Sequence, residues 1–398
     1  MLALHGTATA CYGVKPNKKT SVVRLRQIDG RLGDRADFVV ARSEDEFNKA
    51  VSAKSGGVIL IGNEDIASRQ TIGDLSKLIV LPSQFSYLAA GDIIGIEPQS
   101  RRFRTLYRCG SSHNSFLVTD RCNHYCLMCS QPPKSIDDGW IIEEIKQALP
   151  LVDKSTLSLG FTGGEPLLNW PQFVQLLTIC RDELPATSIH VLSNGRAFAR
   201  DEVVAAWAKI QHPHLMVGIP IYAAIDHIHD YVVQARGAFD ETILGILKLK
   251  DRGQRIEVRV VLHSITAPRI SETCRWLARN FRFVNHVALM GLENTGFALA
   301  NADLLHIDPV DYAADLAEAV NVLAAAKMKV SIYNLPRCVL HPAVLPYAVK
   351  SISDWKNTYL EVCRDCAEKH LCSGFFTTGR PKHSRGVQPI LPASEAVI

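Results

Sequence analysis

Neither sign of charge dominates this sequence: 44 Lys and Arg stand against 40 Asp and Glu, leaving a formal +4. So mild an excess gives no reason to expect nucleic acid or a membrane surface as partner. Long apolar runs are also missing, since none reaches the ~20 residues that a membrane span requires. The N-terminus lacks the charged-then-apolar order of a secretory signal, so no export is expected. Eleven cysteines in 398 residues would suit a disulfide scaffold only in a much shorter chain. Here they cluster in metal-like spacings, and the expected compartment is the reducing cytoplasm. What remains is a chain long enough for more than one domain, with a large barrel at its centre.

The most telling absence is one cysteine. Cys122, Cys126 and Cys129 follow a Cys-x3-Cys-x2-Cys spacing in the run Thr119-Asp120-Arg121-Cys122-Asn123-His124-Tyr125-Cys126-Leu127-Met128-Cys129, with no fourth cysteine on that loop. Three thiolates can hold three corners of a cubane [4Fe–4S] cluster, whereas pure electron carriers use four. One iron is then left for a substrate or cofactor. A zinc knuckle and three unrelated core thiols are the alternatives for the spacing alone. A second motif follows: Leu157–Thr162 alternates like a strand and runs into Gly163-Gly164-Glu165-Pro166. Paired glycines permit close backbone approach, and Glu165 offers an acceptor to an ammonium. In a third, His190-Val191-Leu192 is strand-like and ends in Ser193-Asn194-Gly195.

These three motifs, in this order at one-strand intervals, resemble the radical S-adenosylmethionine (SAM) superfamily. The resemblance implies that Cys122, Cys126 and Cys129 hold a [4Fe–4S] cluster whose open iron chelates SAM. It implies that Gly163, Gly164 and Glu165 receive the SAM amino group, that Ser193 and Asn194 add polar contacts, and that Met128 packs near the adenine. Reductive cleavage of SAM by an electron from an external donor would then give a 5′-deoxyadenosyl radical.

Three sections separate along the chain. Residues 1–110 read as a small β-rich domain of unknown role, with one helix near Glu44 to Ala53 and a Gly91-Asp92 turn entering a strand. From 111 to 335, strand-like runs at 115–119, 157–161, 188–192, 215–221, 257–262, 285–290 and 329–333 alternate with amphipathic helical stretches, one of them following an Asp308-Pro309 start. The expected fold class is α/β: a partial (β/α)6 TIM-type barrel, the superfamily's usual core, with the motifs at the C-terminal strand ends where such barrels are catalytic. Residues 336–398 form an auxiliary-cluster extension and tail.

Later loops offer less. Ile219-Pro220-Ile221-Tyr222 departs from the Ser or Asp that relatives place against the SAM ribose. Arg259 and His263 are expected to face the barrel interior, Arg259 pairing with either the SAM carboxylate or a structural partner. His227, His229 and Asp230 are short of a complete metal set, and His212-Pro213-His214 reads as a surface turn. Cys11, Cys109, Cys180 and Cys274 are isolated and read as packing residues.

Beyond the barrel, Cys338, Cys363, Cys366 and Cys372 supply four thiolates, the complement of a fully ligated [4Fe–4S] cluster; a four-thiolate zinc site is the alternative. This region resembles the SPASM and twitch extensions of radical SAM enzymes that modify peptides. With the Tyr333-Asn334-Leu335-Pro336-x-Cys338 run, the whole is similar to the His-Xaa-Ser system radical SAM maturases (HxsC). That similarity implies a His-Xaa-Ser repeat peptide as substrate and a companion radical SAM maturase as partner. A radical SAM enzyme acting on a small molecule, or a non-enzymatic zinc-binding protein, remains the competing reading.

Overall fold

The computed structural model describes residues 2–14, 20–28, 37–53, 55–63, 65–66, 77–377 and 383–391. Its N-terminal part is an eight-stranded sheet built from β1 (His5–Thr7), β2 (Ala10–Tyr12), β3 (Ser21–Arg26), β4 (Asp37–Ala41), β5 (Val58–Ile61), β6 (Leu78–Leu81), β7 (Ile93–Glu97) and β8 (Arg102–Tyr107). The strand order is β1-β8-β7-β3-β4-β5-β6-β2, with β3 to β6 parallel and the outer pairs antiparallel. β5 and β6 are apolar throughout because both faces are covered. Ile59, Ile61, Ile79 and Leu81 pack with Phe85 and Phe103 on one side. Val58, Leu60, Leu78 and Val80 meet Phe47 and Ala50 of the helix Glu44–Ser52 on the other. Asp92 ties the turn before β7, accepting from Ala89 N at 2.9 Å and Cys109 N at 2.8 Å.

The central part is one all-parallel sheet, β9 (Ser115–Leu117), β10 (Ser158–Thr162), β11 (Ser188–Leu192), β12 (Leu215–Pro220), β13 (Arg255–Leu262), β14 (His286–Gly291) and β15 (Val330–Tyr333), each strand beside the next in chain order. It therefore has seven strands, one more than a (β/α)6 barrel, and they fall on the seven expected runs. Alternation does the sorting. Leu159, Phe161, Ile189, Val191, Val217, Ile219, Val258 and Val260 join the core beneath the helices. Gly160, Thr162, His190, Leu192, Arg259 and Val261 face the inside. No helix among the described residues is long and apolar enough to cross a membrane.

Three local readings change. Asp308 caps only a short turn, Pro309–Asp311, and the long helix is Ala313–Ala325. Pro213 and His214 form the expected exposed turn, but His212 at its start is buried, its Nε2 lying 3.1 Å from Leu184 O. Cys109 is exposed and lies against Gly91 rather than in the core, while Cys180 and Cys274 are buried as expected.

The N-terminal sheet docks on the barrel through a buried charge. Glu144, on the helix Trp140–Ala148, accepts from Arg104 Nε at 2.6 Å, and the Arg104 guanidinium lies 4.5 Å from the Trp140 ring centre. The C-terminal part adds the hairpin β16 (Asn357–Thr358) and β17 (Phe375–Phe376). Leu2 N reaches Trp355 O at 3.1 Å, so the N-terminal segment and the extension meet.

Candidate active site

Past β9 the chain turns into the loop of Cys122, Cys126 and Cys129. Asp138 fixes its entry, accepting from Thr119 Oγ1 at 2.7 Å and Asp120 N at 2.6 Å. The end of β10 is laced to the same loop: Gly164 N donates to Thr119 O and Glu165 N to Arg121 O, both at 2.8 Å. A Cβ on Gly163 or Gly164 would run into the Thr119 and Arg121 carbonyls, and Gly163 sits at φ 141°. The paired glycines thus allow two backbones to meet, a closer reason for them than approach to a ligand. The loop's far side rests on the helix Asp226–Val233, with Tyr125 N and Leu127 N donating to Val233 O at 3.2 Å and Val232 O at 2.9 Å. Asn301 Nδ2 holds Leu127 O at 2.9 Å, and Phe297 N holds Cys129 O at 2.8 Å.

Burial pushes the Cys122 thiol up to about 11 and Cys126 higher still, and each is raised further by charge on Cys129. Burial also raises Cys129. Three mutually repelling thiols in a half-buried loop are poor thiolates on their own; positive metal centres would hold all three ionised. Among the described residues no three His, Cys, Asp or Glu side chains converge tightly enough for a single ion. In a cubane each thiolate takes a different iron, so the residues present fit that group.

Glu165 is 1% exposed. Its Oε1 accepts from Leu167 N and Ser193 Oγ, both at 2.9 Å, and its Oε2 from Asn194 N at 2.7 Å. Burial raises its pKa, against the lowering by those three bonds. No Lys, Arg or His among the described residues pairs with it, which leaves a buried carboxylate without a counter-cation and one acceptor position still open. Asn194 also reaches the cysteine loop, its Nδ2 lying 2.7 Å from Asn123 Oδ1. Met128 is buried with Tyr222, Val232 and Leu305 and borders the cavity.

The barrel mouth opens into a cavity of about 1310 Å³. Its walls are the strand interiors, the loop residues Ser130 and Gln131, strands β1 and β8, and Trp355, Lys356 and Phe376 of the extension. Arg259 does face this interior, and its partner here is structural: Nη1 lies 2.6 Å from Glu257 Oε1. His286 Nδ1 lies 2.6 Å from Glu257 Oε2, and His190 Nε2 3.3 Å from Oε1. Burial alone would raise Glu257; the two histidines and Arg259 outweigh it and hold the carboxyl well below the ordinary range. Sequence reasoning missed Glu257, His190 and His286. The spacing of Glu257 and Arg259, two apart on a strand and so on one face, was the available signal. His263 lies just past β13, fully buried. His227 is exposed while His229 is buried with Nδ1 accepting from Tyr222 N at 3.3 Å, so the two do not meet.

In the extension, Cys338, Cys363, Cys366 and Cys372 line one enclosed cavity of about 10 Å³ with Tyr359, Phe375 and Ile390. Backbone N–H groups already aim at the sulfurs: Arg337 and Gly374 at Cys372, and Ile390 at Cys366, each at 3.4 Å. The four residues fit a fully ligated cluster, each thiolate on its own iron, whereas they do not converge tightly enough for a single zinc ion.

Comparison with known proteins agrees with this geometry. Residues 116–277 match the family model of the Radical SAM superfamily. An uncharacterized protein of Methanocaldococcus jannaschii is 25% identical over 196 residues, 48% of this chain and 63% of that protein. Sporulation killing factor maturation protein SkfB of Bacillus subtilis is 25% identical over 195 residues, 47% of this chain and 45% of SkfB. The chain thus spans less than two thirds of either relative. Streptococcus suis SuiB bound to S-adenosylmethionine superposes with TM-score 0.44 at 14% identity, over 55% of this chain and 49% of SuiB. All three motifs lie inside the segment, residues 116–277, that is similar to the Radical SAM superfamily.

Proposed function

We propose that the protein is a radical SAM enzyme that modifies a peptide or protein, with a His-Xaa-Ser repeat protein as the substrate. When bound, the cluster and SAM supply a 5′-deoxyadenosyl radical by reductive cleavage, and that difficult chemistry is theirs. Cys122, Cys126 and Cys129 hold the cluster. Glu165 takes the SAM ammonium at its open acceptor position, with Ser193 and Asn194 fixing the carboxylate through the bonds described. Gly163 and Gly164 bring that carboxylate against the cysteine loop, and Met128 packs against the adenine. The barrel wall and the covering sheet keep water from the reacting atoms, while the cavity leaves room for a side chain on an extended peptide.

The observation that carries the reading is Glu165: a fully buried carboxylate with three donors and no cation among the described residues, bonded to two segments that also touch the cysteine loop. A peptide rather than a small molecule is favoured by the cavity's size and by its walls coming from all three parts of the chain. SkfB, by its name, is the maturation protein of a sporulation killing factor, which supports the same choice. The test is anaerobic reconstitution with iron and sulfide, then SAM and dithionite, followed by assay for 5′-deoxyadenosine and mass spectrometry of a co-expressed His-Xaa-Ser repeat peptide. Absence of 5′-deoxyadenosine overturns the enzymatic reading. Its formation with an unmodified peptide overturns the substrate alone.

A further inference from the structure

β1 is the outermost strand of the N-terminal sheet, and the register shows which of its backbone groups are spare. Thr105 N donates to Leu4 O at 2.7 Å and Ala8 N to Arg101 O at 2.8 Å. Between them lie the pairs His5 with Arg104, Gly6 with Phe103 and Thr7 with Arg102. Bonded and non-bonded pairs alternate in an antiparallel ladder. Leu4, Gly6 and Ala8 therefore bond to β8, and the N–H and C=O groups of His5 and Thr7 point away from it. Among the described residues none bonds to these four groups. Gly6 packs inward, where a Cβ would strike Phe85, and His5 and Thr7 are exposed.

A strand edge with donors and acceptors two residues apart is what an extended peptide pairs with. This edge is continuous with the site, because Leu4, His5, Gly6 and Thr7 wall the same cavity as Met128, Ser130 and Gln131 of the cysteine loop. Beside it, opposite Thr7, stands the exposed Arg102, whose guanidinium has no partner among the described residues. We propose that the His5–Thr7 edge is the docking rail for the peptide substrate, which adds to the N-terminal sheet as a further strand and runs from there into the barrel mouth. The proposal rests on the peptide-modifying reading above and deepens it. Backbone pairing makes few demands on side chains, which suits a repetitive substrate, and Arg102 favours an acidic residue in the docked segment.

Proline separates this role from packing. His5→Pro and Thr7→Pro remove only outward N–H groups, since neither bonds β8, and proline is tolerated at such edge positions. Thr7→Ala keeps the N–H. With a fluorescently labelled His-Xaa-Ser repeat peptide and the full reconstituted chain, both proline variants should bind at least about tenfold more weakly. Thr7→Ala should bind like the parent, and all should cleave SAM alike without peptide. Parent-like binding by well-folded proline variants overturns the rail and leaves the substrate intact. A repeat peptide that the parent neither binds nor modifies overturns both. Should a proline variant fail to fold, N-methylated peptides tested on the parent carry the same question: loss of binding at alternate positions supports the rail, and indifference at every position overturns it.

Discussion

The two cysteine groups of this chain are opposites in construction. Cys122, Cys126 and Cys129 lie on one loop, held from outside by backbone bonds to Thr162–Glu165, Val232 and Val233, and their neighbours Met128, Ser130 and Gln131 border a cavity of about 1310 Å³. Cys338, Cys363, Cys366 and Cys372 come from separated positions and close around about 10 Å³, with N–H donors already aimed at two of the sulfurs. Three thiolates leave one iron of a cubane without a protein ligand. Four leave none. A site that must admit a cofactor and a substrate needs the former, whereas one that transfers electrons or braces a segment needs the latter.

The largest expected effect breaks this contrast outright. Anaerobically reconstituted protein should hold about eight irons, two cubanes of four. Changing Cys122, Cys126 and Cys129 together to Ala should leave about half the iron and no 5′-deoxyadenosine. A triple variant that keeps all its iron, or a parent that binds stoichiometric zinc at the second site, would refute the two-cluster assignment.

Gly164→Ala attacks the first site without touching a ligand. The added Cβ meets the backbone of Arg121 and Cys122, which a rotamer change cannot relieve. The loop should shift, at a cost on the order of 2 kcal/mol or more in stability. Iron analysis should show the first cluster depleted and the second retained. A variant with full SAM cleavage would show that the β10 end and the cysteine loop need not meet so closely.

Much of this site was legible because its chemistry sits in short runs. The seven parallel strands follow from period-two alternation between helical stretches, and the three motifs fall at their ends. What was hidden depends on contacts distant in sequence. The sequence assigns Ser193 and Asn194 to the cofactor, and the structure shows both spent first on Glu165, 28 and 29 positions away. Glu257, His190 and His286 belong to three strands, and only closure of the barrel brings them together. His212 opens the turn that Pro213 signals, yet its ring is buried, Nε2 against Leu184 O and Nδ1 accepting from His214 N, contacts that the local pattern does not encode. The free edge at His5–Thr7 was illegible because strand edges are decided by order in the sheet, which no local pattern encodes.

Cys363→Ala with Cys366→Ala sharpens the comparison from the other side. SAM cleavage without peptide should persist, since these residues lie outside the barrel, while modification of a repeat peptide should be lost. Loss of ligation can unfold the segment around it. Circular dichroism and the first cluster's absorption therefore have to match the parent. Full modification by a well-folded double variant would make the second site dispensable.

The smallest effect concerns Glu165, where electrostatics alone distinguishes the open site. A charge-assisted hydrogen bond contributes on the order of 1.5–3 kcal/mol, so Glu165→Gln should weaken SAM binding by about 10- to 100-fold with the cluster spectrum unchanged. Burial raises the pKa of Glu165, so its ionised form is lost as pH falls through that raised value. The ammonium needs the carboxylate. SAM affinity should therefore be full above this pKa and decline about tenfold per pH unit below it, a limb absent in Glu165→Gln. The amide brings a cost of its own. Gln can keep its oxygen toward Leu167 N and Ser193 Oγ, but its NH2 then faces the Asn194 N–H that now donates to Oε2. Losing that bond should lower stability by about 1–3 kcal/mol, which thermal melts without SAM will separate from the binding defect. A folded Glu165→Gln protein with unchanged SAM affinity and the parental acid limb would remove Glu165 from the cofactor site, and the missing counter-cation would have to be sought elsewhere.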